Sequence, residues 1–528
     1  GKTQILASRI GKILLETDSL PQNILCLTYT EAGVVAMRKR LQRFIGSDAY
    51  KVNIYTFHAF CNDIIQENLS LFEKTALDPV SDLERIEMFT QLIDAFPKAH
   101  PLKRYRGDVY FEIHNLQNLF STMKREGWTS AFIIEKIDEY LKDLPNRDGF
   151  TYKRVYKQHK PGDLNQNRID EETEKMEKLR AAVMEFDNFQ QLMRARNRYD
   201  FDDMINWVIR SFEENKTLLA RYQEQYLYIL VDEYQDTSGT QNRLVELLLS
   251  FWDTPNIFVV GDDDQSIYRF QGANVENMLS LAHTYKDDLL KVVLTKNYRS
   301  TQPILNVAQS LINRNNERLI RQIPGLTKEL RASHPEMMGL EHMPSIREYE
   351  SQRQEMIGIT KEIKTLLLQG VQPGRISVIY KENKYGEELT NYLLLQNIPV
   401  YSKRNINILE LPLVNKLMLL LRYLATEHDI PYSGDEMLFE ILHFDWFNIH
   451  PIEIAKLSSE VADKQFTSEK ISLRRLLFER TNRPPKDLFT VAPDPHLNQA
   501  SMILDKMVRG VSNLTLQQMF ELIIREAG

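Results

Sequence analysis

The sequence is poor in several features that would assign a protein to a class. Only two cysteines, Cys26 and Cys61, occur in 528 residues. They cannot form a zinc site alone, and they indicate no disulfide framework. The formal net charge is −7, so a nucleic-acid site would have to be local, without a general basic character behind it. No run of about eighteen uncharged apolar residues occurs, so we expect no membrane span.

What is present is typical of a large globular protein. Hydrophobic residues make up 43% and charged residues 26% of the chain, which are ordinary proportions. The length exceeds what one core can support, so we expect several domains. Because cysteines are scarce, we expect a reducing, cytoplasmic setting.

Strand and helix patterns divide the chain into five segments. Short apolar runs at 24–27, 52–55, 228–231, 257–260, 292–294 and 376–380 predict strands, and most are followed by helical patterns. Such alternation is typical of an α/β fold with parallel sheets. The segments are 1–70, 191–290 and 291–400, of α/β character, and 71–190 and 401–528, where helical periodicity dominates.

The chain begins with Gly1-Lys2-Thr3, which can be the end of a phosphate-binding loop. In such a loop, backbone amides at a helix N-terminus hold phosphates, the lysine reaches the β- and γ-phosphates, and the threonine helps to hold Mg²⁺. Three residues alone are weak support, because a helix start of this sequence also arises by chance.

Acidic residues follow the predicted strand that ends at Val231. Ligands of α/β sheets bind at the carboxyl ends of strands. Asp232 can hold the Mg²⁺ that bridges two phosphates, and Glu233 can orient and deprotonate an attacking water. Solvated carboxylates at a strand end are the ordinary alternative.

Two further motifs follow strands. The amide of Gln265 can donate to a γ-phosphate and accept from the attacking water. Arg299 can stabilise charge on a transferred phosphoryl group, and its neighbour Tyr298 can stack on a base. Taken singly, a surface glutamine and a Tyr-Arg pair that packs or forms a salt bridge are the commoner interpretations.

Together the motifs resemble the UvrD/Rep/PcrA family of superfamily 1 DNA helicases, in their order and their separations. The most specific strings are VDEYQDT at 231–237 and GDDDQSIY at 261–268. The other matching motifs are Gly1-Lys2-Thr3, Leu27-Thr28-Tyr29-Thr30, Thr56-Phe57-His58, Asp200-Phe201-Asp202-Asp203 and Asn297-Tyr298-Arg299-Ser300-Thr301.

The resemblance implies a role for each matching residue. Those implied for ATP and Mg²⁺ are Gly1, Lys2 and Thr3 of the Walker A end, Asp232 as metal ligand, Glu233 as catalytic base, Gln265 as γ-phosphate sensor, Tyr298 under the adenine and Arg299 as arginine finger. Those implied for DNA are Thr28, Tyr29, Thr56 and His58 along a single-strand track, Tyr268 and Phe270 stacked on bases, and Lys381 where relatives usually carry a DNA-contacting arginine.

The implied fold is two RecA-like P-loop domains, each with a helical insertion. Domain 1A would comprise 1–70 and 191–290, insertion 1B 71–190, domain 2A 291–400 and insertion 2B 401–528. The implied function is ATP-driven 3′ to 5′ movement on single-stranded DNA, with unwinding at single/double-strand junctions in repair or recombination. The chain has no initiator methionine and no match to the later family motifs, so we expect a fragment with an incomplete second domain.

General physical arguments agree with a DNA track. Base stacking on aromatic rings is worth about 1–3 kcal/mol per base and tolerates any sequence. Hydroxyls such as those of Thr28 and Thr56 bind phosphates without added positive charge. A basic stretch at 152–160 is a further candidate contact, although a solvated basic loop is the commoner interpretation.

Two single residues and one tripeptide depart from the family pattern. Gln271 stands where close relatives usually carry an arginine that contacts the γ-phosphate, and Phe270 where many carry tryptophan. Glu31-Ala32-Gly33 replaces a common Asn-Lys-Ala, which puts one basic contact to the DNA backbone in doubt.

The sequence leaves open two alternatives to a simple helicase. The chain can be the helicase part of a RecB/AddA-like helicase-nuclease, or a DNA-binding scaffold with a degenerate ATP site. A P-loop ATPase that does not bind DNA would leave Thr56-Phe57-His58 and Tyr268-Arg269-Phe270 unexplained.

Overall fold

The computed structural model describes residues 1–72, 78–147, 149–152, 154, 160–266, 276–316, 318–323, 326–402, 409, 411–465, 470–482 and 494–527. The chain divides into two compact units, Gly1–Ile346 and Arg347–Gly528. Among the helices in these ranges, none is both long enough and apolar enough to cross a membrane.

The strands within the described residues all lie in the first unit. They are β1 (Ile24–Thr28), β2 (Asn53–Thr56), β3 (Asp78–Pro79), β4 (Arg198–Tyr199), β5 (Tyr228–Val231), β6 (Ile257–Val259), β7 (Lys296–Asn297) and β8 (Arg331–Ala332). Four of them form a parallel sheet in the order β2-β1-β5-β6, and β3-β4 and β7-β8 form two short parallel pairs. The α/β class with parallel sheets is thus confirmed, and the apolar runs predicted each main strand to within one residue.

The helices of the first unit surround this sheet and extend beyond it. They are α1 (Lys2–Glu16), α2 (Glu31–Ile45), α3 (Phe57–Glu67), α4 (Leu69–Phe72), α5 (Asp82–Asp94), α6 (Ile113–Glu126), α7 (Ser130–Asp143), α8 (Gln166–Met184), α9 (Phe186–Ala195), α10 (Phe201–Glu214), α11 (Lys216–Gln225), α12 (Gly239–Leu249), α13 (Glu276–Thr284), α14 (Gln302–Ile312) and α15 (Leu319–Gln322).

Side chains of the main sheet alternate between two buried faces. Leu25 and Leu27 pack with α3, α10, α11 and α12, whereas Ile24 and Cys26 pack with α1 and α2. Helices therefore cover both faces, which explains why β1 and β5 are continuous apolar runs and not alternating ones. Burial raises the pKa of the Cys26 thiol to about 12, so this free cysteine is an inert part of the core.

Helices α5 to α9 build a separate core between α4 and α10. Phe89, Phe120 and Phe189 form its centre, and the rings of Phe89 and Phe189 stack with centroids 4.2 Å apart. A buried ion pair joins this helical region to the start of α10, because Lys124 of α6 lies 2.6 Å from Asp200 and 2.9 Å from Asp203. Burial alone would lower the pKa of Lys124, but the two carboxylates outweigh it and raise that pKa.

Two predicted strands do not form. The segments 292–294 and 376–380 make no β-ladder, and Val292 and Ile379 are 72% and 94% exposed. An apolar run becomes a strand only where a neighbouring strand supplies N–H and C=O partners, and no such neighbour lies beside these runs in the described ranges. The assignment of 291–400 to a second α/β domain therefore stays a prediction.

The second unit is helical in its described part. Its helices are α16 (Gln352–Leu368), α17 (Asn383–Leu395), α18 (Pro412–Asp429), α19 (Asp435–Leu442), α20 (Pro451–Gln465), α21 (Leu473–Asn482), α22 (Pro495–Gly510) and α23 (Leu516–Ala527). Helices α18 to α23 share one core, and Met356 of α16 packs with Leu389 and Leu393 of α17 in another.

Candidate active site

The four main strands end at one edge of the sheet, and the predicted site residues follow these ends. Thr28 pairs with Thr56 in the ladder between β1 and β2, and Val231 pairs with Leu27 on one side and Val259 on the other. Parallel strands place their carboxyl ends together, and open α/β sheets bind ligands there. The edge has two halves: the ends of β5 and β6, which carry acids, and the ends of β1 and β2, which carry hydroxyls.

At the end of β5, Lys2 and Thr3 lie close to the two acids that follow the strand. Lys2 Nζ forms an ion pair with Glu233 Oε2, although the two residues are 231 positions apart. The Thr3 hydroxyl lies close enough to the Asp232 carboxylate to favour its ionised form. The structure thus brings together the four residues that the sequence assigned to phosphate, metal and base.

Asp232 and Thr3 form a donor set suited to a hard cation. Asp232 is buried, and burial followed by the charge of Glu233 raises its pKa, so a nearby positive charge would stabilise its ionised form. Carboxylate and hydroxyl oxygens are the ligands that Mg²⁺ prefers. These two residues therefore fit the metal that the family implies.

The backbone at Glu233 is unusual. Its φ is 48°, in the left-handed region that residues other than glycine rarely adopt. Such conformations cost roughly 1–3 kcal/mol and occur where surrounding structure holds them, often at active sites. The turn lets the chain pass directly from β5 into a short 3₁₀ helix at Tyr234–Asp236, which holds Glu233 at the strand end.

Gln265 lies at the end of a second 3₁₀ turn, Asp263–Gln265, after β6. Its Nε2 donates to Asp262 Oδ2, and no hydrogen bond joins it to Glu233 in the described structure. Its role as γ-phosphate sensor stays a prediction.

The three aspartates that precede Gln265 are held by two cations. Lys328 Nζ lies 2.9 Å from both Asp263 and Asp264 and also pairs with Asp262, while Arg318 makes two bonds of 2.7 and 2.8 Å to Asp264. The carboxylates Asp262, Asp263 and Asp264 lie close enough to resemble a metal cluster. The positive charges of Arg318 and Lys328 compensate these carboxylates and hold the loop in place.

At the β1 and β2 ends, threonine hydroxyls cap helices. Thr30 Oγ1 accepts from Gly33 N at 3.0 Å, and Thr56 Oγ1 accepts from Ala59 N at 3.2 Å. A Cβ at Gly33 would lie 2.5 Å from Thr28 Oγ1, so a larger residue there would require the buried Thr28 side chain to shift.

The other departure there changes the charge of this surface. Thr56 Oγ1 also donates to Glu31 Oε1 at 3.2 Å, so an acid stands directly beside a predicted DNA contact. His58 Nε2 lies 3.6 Å from Asp202 Oδ1, and Arg125 Nε binds Asp202 at 3.2 Å. Tyr29 is partly exposed on the same edge.

Tyr298 and Arg299 lie in a turn after β7. Asn297 Oδ1 accepts from the backbone N of Arg299 and of Ser300, each at 2.9 Å. The Tyr298 ring is 57% exposed, as a stacking surface requires. In the described structure no ion pair joins the Arg299 guanidinium to Glu233, so its role as arginine finger stays a prediction.

The structure describes only some of the remaining residues that we predicted to bind DNA. Lys381, in the second unit, is exposed and lines a cavity of about 520 Å³ with Tyr380 and Tyr385. Tyr268, Phe270 and Gln271 lie outside the described residues, as does most of the basic stretch at 152–160.

Sequence reasoning missed three residues that the structure puts into the site. Gln235 contacts Glu233, Lys328 neutralises the aspartates before Gln265, and Asn297 shapes the turn that carries Arg299. Gln235 and Asn297 lie within matched motifs and could have been considered. Lys328 lies outside every motif and carries no local signal.

Comparison with known proteins agrees with the site. Residues 1–286 match the family model of the UvrD/REP helicase N-terminal domain, and residues 292–434 match that of the UvrD-like helicase C-terminal domain. The ATP-dependent DNA helicase PcrA of Staphylococcus epidermidis is 27% identical over 468 residues, which are 87% of this chain and 54% of that protein. PcrA of Staphylococcus aureus strain Mu50 is 26% identical over 459 residues, with the same coverage. The chain spans about half the length of the curated relatives it matches.

Proposed function

This chain belongs to the UvrD/REP helicase family, and we propose that it forms ATP-hydrolysing and DNA-binding parts of a helicase that moves 3′ to 5′ on single-stranded DNA. The observation that carries the proposal is the convergence of Lys2 on Glu233 and of Thr3 on Asp232 at the end of β5. A degenerate ATP site would have no reason to keep all four groups in contact. We propose that it unwinds DNA at single/double-strand junctions during repair or recombination.

The ion pair at the β5 end suggests how hydrolysis begins. The phosphates of ATP carry more negative charge than one carboxylate, so Lys2 would exchange Glu233 for the β- and γ-phosphates. Glu233 would then be free to accept a proton from the attacking water. Asp232 and Thr3 would hold Mg²⁺, which when bound neutralises charge on the phosphates.

The β1 and β2 ends suit a track that accepts any base sequence. Thr28 and Thr56 are buried at this edge, so DNA would have to uncover their hydroxyls for these to bind phosphates, whereas the exposed Tyr29 ring can contact sugar or base directly. Neither interaction depends on base identity, which is what a translocating motor needs. Because Thr56 already donates to Glu31, DNA would have to displace that carboxylate.

The proposal is tested by ATP hydrolysis of the purified protein with and without oligo-dT, at saturating ATP and Mg²⁺. We expect slow hydrolysis alone and stimulation of ten-fold or more (about 1.4 kcal/mol in barrier height) by single-stranded DNA. No stimulation would overturn the motor assignment.

Polarity is tested separately on duplexes with one single-stranded tail. We expect strand separation with a 3′ tail and little with a 5′ tail. Equal unwinding of both, or preference for the 5′ tail, would contradict the proposed direction while leaving the ATPase assignment intact.

A further inference from the structure

Gln235 occupies an unusual position between the two motifs of the nucleotide site. It lies in the 3₁₀ helix after Glu233 and is only 1% exposed, although its side chain is polar. A buried amide is costly unless its donors and acceptor find partners. Its placement therefore depends on the bonds that it makes.

All polar atoms of the Gln235 amide are engaged. Nε2 donates to Glu233 Oε2 and to Asp236 Oδ2, each at 3.0 Å, and Oε1 accepts from the backbone N of Asp262 at 2.8 Å. One side of the amide therefore holds the proposed catalytic base, and the other holds the start of the loop that carries Gln265. A shift of the amide would change both contacts together.

The backbone on the far side approaches Gln235 closely. A Cβ at Gly261 would lie 2.9 Å from Gln235 Oε1 and 3.1 Å from Met278 Cε. Tyr234 N also donates to Val260 O at 3.0 Å. The absence of a side chain at Gly261 thus lets the loop after β6 lie against the amide.

The contacts continue from Asp262 to Gln265. The Asp262 carboxylate accepts from Gln265 Nε2 and pairs with Lys328. A continuous set of polar contacts therefore runs from Lys2 through Glu233, Gln235 and Asp262 to Gln265.

We propose that Gln235 is a positioning residue that couples the position of the Glu233 carboxylate to the placement of the Asp262–Gln265 loop. This inference rests on the proposed function. When Lys2 leaves Glu233 for the phosphates, the carboxylate loses one partner and its position changes. The Gln235 Nε2 that donates to it moves as well, and Gln235 Oε1 transmits that shift to the backbone N of Asp262. The loop would thereby respond to each step of hydrolysis, and DNA stimulation would pass back along the same contacts.

The test compares Gln235→Leu with Gln223→Leu. Gln223 is also a buried glutamine of the first unit, and its amide donates to Leu247 O at 2.7 Å and to Ser250 Oγ at 3.2 Å, in contact with neither motif. Both variants lose a buried amide, so a purely structural role predicts the same phenotype for both.

For Gln235→Leu we expect DNA-stimulated kcat to fall about ten-fold or more through misplacement of the base and loop, with KM for ATP within about three-fold of wild type. The ratio of rates with and without oligo-dT should approach one. Gln223→Leu should lower the melting temperature but keep this ratio. Normal stimulation in Gln235→Leu, or equal loss in both variants, would overturn the inference.

Two further arms keep the outcome decisive. If Gln235→Leu does not fold, Gly261→Ala is measured in its place, because its added Cβ would displace the Gln235 amide oxygen. An unchanged ratio of rates with and without oligo-dT in Gly261→Ala would overturn the proposal. Wild-type protein is measured first, because absence of stimulation in wild type contradicts the proposed function and not the coupling role.

Discussion

The two halves of one sheet edge solve different chemical problems. The β5 and β6 ends concentrate charge: Lys2 pairs with Glu233, and Lys328 pairs with the aspartates that precede Gln265. The β1 and β2 ends carry the buried hydroxyls of Thr28 and Thr56, with the acid Glu31 beside Thr56. All four strands are parallel neighbours in one sheet, and the difference in chemistry arises in the few residues at and after each strand end. A parallel sheet thus supplies the place, and the loops supply the chemistry.

The largest expected effect is on the charged half. Glu233→Gln keeps the shape of the side chain but removes the proton acceptor, so kcat for ATP hydrolysis should fall about 10³-fold, within the range for loss of a general base. Affinity for ATP should be kept or rise slightly, because Lys2 loses a partner that competes with the phosphates. Steady-state hydrolysis and binding of a fluorescent ATP analogue measure the two quantities.

The matched control for this variant is on the other half. Glu31→Gln makes the same change of charge beside Thr56 and should leave ATP hydrolysis without DNA within about two-fold of wild type, as expected for an exposed side chain. Loss of ATP binding in Glu233→Gln would assign Glu233 a structural role.

A smaller effect is expected at the hydroxyl half. Thr56→Val removes the oxygen that caps α3 and that we assign to a DNA phosphate. We expect about five- to ten-fold weaker binding of oligo-dT and about 1 kcal/mol lower stability from the lost cap. Fluorescence anisotropy and thermal unfolding report these two effects, and Thr56→Ser should preserve both. Unchanged DNA affinity in Thr56→Val would remove this residue from the track.

The smallest expected effect is on the pH dependence of stability, through the carboxyl group of Asp236 near the end of β5. Burial, and then the charge of Glu233, raises the pKa of Asp236 from 3.8 to about 6, and its Oδ1 is buried with no hydrogen-bond partner in the described structure. The folded state therefore holds this proton more tightly than the unfolded state, so its contribution to stability falls as pH rises from about 4 to 6.

The Asp236→Asn side chain is uncharged at every pH, so the fall in stability between pH 4 and 6 that Asp236 causes should disappear. Above pH 6 we expect it to be about 1 kcal/mol more stable than wild type, a figure reduced for the partial exposure of the group. Melting temperatures at pH 5 and pH 8 measure the change, with Asp253→Asn in an exposed loop as control. A difference between wild type and Asp236→Asn that is the same at both pH values would contradict the assignment.

Much of this architecture was predictable because it depends on local pattern. The runs that became β1 and β5 are apolar on both faces, as strands covered by helices on both sides must be. The acids at 232 and 233 follow such a run directly, so their place at the sheet edge followed from strand polarity. Periodicity likewise indicated the helices between α4 and α10.

The failures have a common cause. The runs at 292–294 and 376–380 have strand composition but no partner strand in the described ranges, and pairing is not a local property. The link through Gln235 was missed for a related reason, since its Oε1 is bound by the backbone of Asp262, 27 positions away. A short motif shows which residues are present, but it does not predict which of their atoms form contacts.

The sequence by itself determined the α/β class, the family and the order of the chemical groups along the chain, because each depends on residue type and spacing. Only the tertiary structure decided that Lys2 pairs with Glu233, that Glu31 stands beside Thr56 and that Gln235 joins the two acidic loops. These contacts arise where the sheet brings together segments far apart in the chain, and burial then makes each charge and each amide depend on its neighbours.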